Sequence, residues 1–336
     1  MVDEQQQSQF ESPDGAGHLD GTSVAGRSAA APTSGSGAND TALLAGQLVL
    51  FDDQILAEIA GLNALLQLEF TDARLRLSQL AATAEQSALT RQLFDAARYW
   101  EQLPPEPVPG QEREWIDSWS EAERAFCPRY SALADWGRSL RTSIARRIAA
   151  VAMEIGDYAR ALSALEPVEL WDDILAVVRA VPDDKTTAGF HQTAAAAAVA
   201  LARSSDAIDH YVLALLLDPA AVDLPAIGHT ALAQCYADAV DQEFDDDVCA
   251  ERLAAQALAR QLLLPARAEQ LLARVRPVLQ RTGVPVPRSC RLFEMVLAAQ
   301  WARAAGQRSD AIRARERLAA EDRGLLREIL AIHERS

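Results

Sequence analysis

The sequence predicts an all-α protein of antiparallel helical hairpins stacked on one another, behind a disordered N-terminal tail. Three observations carry this prediction. Apolar residues recur at three- and four-residue steps along most of the chain after residue 40, β-branched runs are nearly absent, and the breaks between periodic stretches are short. Short connections set successive helices antiparallel. Repeated hairpins then stack into a solenoid, because one hairpin alone cannot bury both of its faces.

Residues 1–40 are rich in Gly, Ser, Ala, Asp and Gln with almost no large apolar groups. Such a stretch cannot offset its ordering entropy, so it is expected to be a disordered tail. Residues 41–104 are expected to form an N-terminal helical segment. Its first helix, Asp53–Leu68, carries Ile55, Leu56, Ile59, Leu62, Leu65 and Leu66 on one broad face, and Thr71–Ala84 completes a hairpin. A third helix, Ser87–Gln102, carries Leu93, Phe94, Ala97 and Trp100. The sequence LPPEPVPG that follows must end it, so residues 105–111 are expected to be a stiff Pro-rich connector.

Residues 112–336 are expected to form the repeat array. Glu112–Arg124 places Trp115 and Trp119 one turn apart, Cys127-Pro128 should break the chain, and Tyr130–Ile155 reads as one long helix. Trp100, Trp115, Trp119 and Trp136 cluster around the connector, where their expected task is to pack the N-terminal helices onto the array. Further helices are expected at Tyr158–Leu165, Glu169–Ala180, Thr186–Ala202, Asp206–Leu217, Pro225–Val240, Val248–Leu263, Pro265–Gln280, Pro287–Ala305, Ser309–Ala320 and Arg323–His333. Proline at 225, 265 and 287 suits helix starts, where no N–H bond is needed. The stretch Thr186–Pro219 shows the hairpin most plainly. Ala194–Ala202 is apolar all round and suits close helix approach. Ser204, Ser205 or Asp206 can cap the next helix. Ile208, Tyr211, Val212, Leu215 and Leu216 make its stripe, and Asp218-Pro219 stops it.

Asp206-Ala207 with Tyr211, Ala214 and Pro219 resembles the second helix of a tetratricopeptide unit. Gly156-Asp157-Tyr158 with Ala161 and Leu165 looks like that unit's interhelical turn. Ala60-Gly61, Ala64, Phe70, Ala73, Leu77 and Leu80 fit a whole unit without its closing proline, and Ala298-Ala299, Ala302, Gly306 and Ala311 are similar to another. The matched alanines 73, 161, 207 and 311 do not keep the ~34-residue period, so the units between them are degenerate. The resemblance implies a tetratricopeptide-like α-solenoid.

Charge and motif chemistry narrow the function. A net charge of −16 opposes general binding to nucleic acid or anionic membrane. Local arginine clusters at Arg138–Arg147 and Arg303–Arg317 are interleaved with apolar residues and read as solvated helix faces. The polar acidic N-terminus is unlike a signal peptide, and the longest apolar run is far short of a membrane helix, so a cytoplasmic location is expected. Cys127, Cys235, Cys249 and Cys290 lack metal-ligand spacing and read as small core residues. Lys185, the sole lysine, lacks the glycines of a phosphate loop, and no HExxH or GxSxG pattern occurs. Asp172-Asp173 and Asp245-Asp246-Asp247 read as helix N-terminal charges. His191, His210 and His229 are evenly spaced, but they fall in different helices, so the spacing does not place them on one face. No metal, no cofactor and no enzymatic activity is therefore expected.

The function expected is a protein–protein interaction scaffold that holds a partner helix or peptide in the concave groove of the array. The alternative is an all-α enzyme or small-molecule sensor with its site between helices. Counting from the matched small residues, the groove should be lined by Ile55, Glu58, Leu62, Leu65 and Leu66 at one end. Arg146, Met153, Gln192, Val199, Gln300 and Arg303 should follow. An apolar near end and an arginine-bearing far end suit an amphipathic acidic helix as partner.

Overall fold

The computed structural model describes residues 55–81, 88–133, 135–241, 245–283 and 285–335, and among these every regular element is helical. The tail expected over residues 1–40 lies outside the described residues. The first hairpin pairs α1 (residues 55–66) with α2 (Phe70–Ala81), and α3 (Ala88–Trp100) packs on α2. Beyond the connector come α4 (Glu112–Tyr130), α5 (Asp135–Glu154), α6 (Tyr158–Leu165), α7 (Trp171–Ala180), α8 (Ala188–Ala200) and α9 (Ser204–Leu217), each packed on its chain neighbour. The remainder is α10 (Thr230–Val240), α11 (Asp246–Ala259), α12 (Pro265–Thr282), α13 (Arg288–Ala304), α14 (Arg308–Glu321) and α15 (Arg323–Arg335).

One turn recurs. Leu68, Gly156, Ala202, Gln261 and Gly306 all adopt left-handed backbone, with φ of 65°, 70°, 56°, 60° and 69°. In each case the next N–H reaches back to a carbonyl five residues earlier: Glu69 to Ala64, Asp157 to Ala152, Arg203 to Ala198, Leu262 to Ala257 and Gln307 to Ala302, at 2.8–3.0 Å. This bond occupies a carbonyl that the helix end would otherwise leave open, and it turns the chain sharply into the next helix. The small residues Ala73, Ala161, Ala207 and Ala311 each fall five positions after such a turn and are buried.

Packing changes character along the chain. From α9 onward the helices also meet at longer range: α9 against α11, α12 and α13, and α11 against α13 and α15. α11 becomes the central helix of this half, with all eight residues Arg252–Ala259 buried. Alanines at 254, 255, 257 and 259 make that approach sterically feasible. The two polar members each reach a neighbour, although Gln256 Oε1 stays buried with no hydrogen-bond partner among the described residues. Arg252 pairs with Asp322, and Gln256 Nε2 donates to Glu328 Oε2 at 2.8 Å, so both bind the α15 segment.

Two apolar cores result, and the α8–α9 hairpin is their seam. Ala194, Ala197, Ala198 and Ala207 face the N-terminal core, while Ala195, Ile208 and Val212 face the C-terminal one. The N-terminal core has an aromatic centre. Trp100 of α3 lies within 6.0 Å, centroid to centroid, of Phe70 on α2 and of Trp119 and Phe126 on α4, so helices on both sides of the connector share one core. Both Trp115 Nε1 and Trp119 Nε1 donate to the Pro104 carbonyl, at 2.8 and 3.0 Å, folding the connector onto α4. Trp136, in contrast, is exposed.

Three local expectations are corrected. α4 runs through Pro128 to Tyr130: Pro128 forgoes the N–H bond to the Arg124 carbonyl, and buried Phe126 and Tyr130 anchor that turn against the loss. α10 starts at Thr230 instead of Pro225: Val222, Leu224 and Ile227 are buried as irregular chain, Gly228 N–H donates to Tyr211 Oη at 3.0 Å, and His229 caps the helix. No serine side chain caps α9. Ser204 is its first residue and bonds His229 Nε2 at 2.7 Å.

Candidate functional site

The positions expected to line a groove have diverse surroundings. Leu62 and Leu65 are buried in the N-terminal core with Phe70, Leu77 and Trp100. Leu66 is half-buried against the same core, Glu58 accepts a hydrogen bond from Thr90, and Ile55 is exposed. Arg146 on α5 pairs with Asp173 on α7 at 2.7 Å, and Met153 packs on the N-terminal core. Gln192 is tied to the backbone of Asp223, donating to its carbonyl at 3.3 Å and accepting from its N–H at 3.1 Å. Val199 packs at the junction of both cores. Gln300 and Arg303, one turn apart on α13, are brought together in a surface pocket of about 350 Å³.

That pocket is built by the turn between α11 and α12. Gln261 takes the left-handed position that ends α11, and Leu263 is buried, anchoring the loop. Leu264 must then adopt extended backbone (ψ 146°) because Pro265 follows it and starts α12. Its side chain is thrown outward and is 71% exposed, the highest value among the exposed large hydrophobic side chains of the described residues. From α13, Gln300 Nε2 donates to the Leu258 carbonyl at 2.8 Å, meeting the open end of α11. Its Oε1 is buried and has no hydrogen-bond partner among the described residues. An apolar ledge and the Arg303 cation thus stand side by side. Sequence reading named Gln300 and Arg303 but missed Leu264; the Leu-Pro pair at a helix start was the available signal.

A second concavity of about 330 Å³ lies between α4, α5 and α6. Its arginines face acids across it, Arg141 to Glu123 at 2.7 Å and Arg160 to Asp117 at 3.0 Å, over a floor of Ile116 and Ile148. The opposed charges leave it close to neutral.

Two of the three evenly spaced histidines are brought together by the fold. His191 and His210 meet across the α8–α9 hairpin with their Nδ1 atoms 3.0 Å apart. Burial, then each other and Arg274, push His191 down to about 3; burial and Arg274 push His210 down to about 4 despite Asp209 and Asp206. His229 Nδ1 accepts the Leu232 N–H at 3.4 Å, and burial lowers its pKa too. The signal available in the sequence was their position on either side of one antiparallel turn.

Comparison with known proteins adds no family: no family model matches the chain, nor does any curated protein or solved structure. The site must be read from its own chemistry.

Proposed function

We propose that this chain is a protein-interaction adaptor of the tetratricopeptide-like class, and that the ledge at Leu264 seats a partner helix. Support for the class comes from the shared hairpin turn and from the buried alanines that follow it. The observation that carries the docking site is Leu264, held out by Pro265 beside exposed Arg303. An apolar side chain of the partner covers Leu264, and a carboxylate one turn away meets Arg303. The partner is therefore an amphipathic helix carrying acid beside its apolar face.

The test is affinity capture from native lysate with the full chain and with Leu264→Ser and Arg303→Glu. The wild-type chain is expected to retain a protein that both variants lose while keeping their helical circular dichroism. Variants that retain every captured protein, or a wild-type chain that brings down a stoichiometric small molecule and no protein, contradict the proposal.

A further inference from the structure

A second surface lies on the far side of α13. Arg291, Glu294 and Ala298 project from the face of that helix opposite Gln300 and Arg303, as 100° per residue requires. They line a groove of about 570 Å³ completed by Arg276 of α12 and by Asp310, Arg313 and Arg317 of α14. Four arginines stand against two acids in this lining, within a chain of net charge −16.

The internal pairings leave positive charge over. Arg276 directs two nitrogens at one oxygen of Glu294, at 3.1 and 2.9 Å. Arg313 holds Asp310 of its own helix at 2.6 Å, and Arg291 reaches out of the groove to Glu321 at 3.1 Å. Arg317 has no ion-pair partner among the described residues and stands one turn beyond Arg313. Half-buried Met295 and buried Ala314 lie between the charges as an apolar strip. Convergence from three helices distinguishes this arrangement from an ordinary solvated face, on which cations point away from each other.

We infer that this groove docks an acidic polypeptide segment, with carboxylates one helical turn apart engaging Arg313 and Arg317 and an apolar side chain lying over Met295. The planar guanidinium fork matches a carboxylate edge to edge, and a segment bearing separated single charges can pass Glu294 and Asp310. A continuous row of phosphates meets both of those acids and the repulsion of the whole chain. The inference is independent of the Leu264 ledge, since the two surfaces use opposite faces of α13.

Fluorescence anisotropy on the full chain tests it. The probe is a labelled alanine-rich helical peptide of about 18 residues with Glu pairs four apart around one leucine. A control peptide carries Gln for Glu, and inorganic polyphosphate serves as competitor. The Glu peptide is expected to bind saturably, to weaken with added salt, and to lose about tenfold in affinity with Arg313→Glu/Arg317→Glu. Leu264→Ser is expected to leave that binding unchanged. Arg317→Gln, which breaks no internal ion pair, keeps the test valid if the double variant unfolds; it too should weaken binding. Equal binding of the Gln peptide overturns the inference. So does binding of polyphosphate without the Glu peptide, full affinity in the folded arginine variants, or loss of binding on Leu264→Ser.

Discussion

Ala207 has no exposed surface and lies where α9 meets α8, so the site has room for a methyl group and nothing charged. Ala207→Glu is expected to cost about 3–5 kcal/mol in a urea melt, because a carboxylate there is buried without a partner. Asp322 offers the complementary case. It is buried between Arg252 and Arg288, and its Oδ1 accepts the Leu325 N–H at the start of α15. Asp322→Asn keeps the capping oxygen and removes the charge, leaving two guanidinium groups facing a neutral amide. A loss of about 3 kcal/mol is expected, read by the same melt. Single residues were unevenly legible in the sequence. Alanine 207 could be placed by its local pattern, since a small residue after a turn has one use. The Arg252–Asp322 pair could not, because 70 residues separate its members and neither has a local partner pattern.

The recurring helix-ending turn is the informative element. Of the five residues that end an α-helix in this left-handed position with a bond of 2.8–3.0 Å, only Gly156 and Gly306 are glycine; Leu68, Ala202 and Gln261 carry a side chain against the carbonyl that follows. Ala202→Gly is therefore expected to raise stability by about 1 kcal/mol, measured by thermal melting, because relief of the backbone conflict exceeds the added freedom of the unfolded chain. Absence of glycine at three of these turns also explains why the sequence placed helix ends only approximately. The helices themselves were legible from apolar spacing. Proline misled at 128 and 225, since tertiary burial of Phe126 and Tyr130 extended one helix and burial of Leu224 and Ile227 delayed the next.

At the scale of the whole molecule, two cores meet at the α8–α9 hairpin, and two mutually bonded histidines sit in that seam. Both have folded-state pKa values below the ~6.5 of an unfolded histidine, so the unfolded chain takes up their protons first as pH falls. Stability from this pair is complete above about pH 6.5 and is lost as pH drops toward about 4. The groups that face the pair are Arg274 of α12, Arg179 of α7, and Asp206 and Asp209 of α9. Melting followed from pH 7 to 5 is expected to lose about 1–2 kcal/mol per histidine, with a shallower slope in His210→Gln. The sequence disclosed the all-helical class through period and composition. It could not disclose that α11 lies at the centre of the second half, because packing around one helix follows from long-range contacts that leave no local period.

The adaptor reading stands on the Leu264 ledge, and hydrogen–deuterium exchange on the full chain with its captured partner tests that ledge most directly. Residues 261–265 and 300–304 are expected to exchange more slowly in the complex, and Leu264→Ser to abolish the change. Unaltered exchange at both segments, with protection appearing elsewhere on binding, would contradict the assignment.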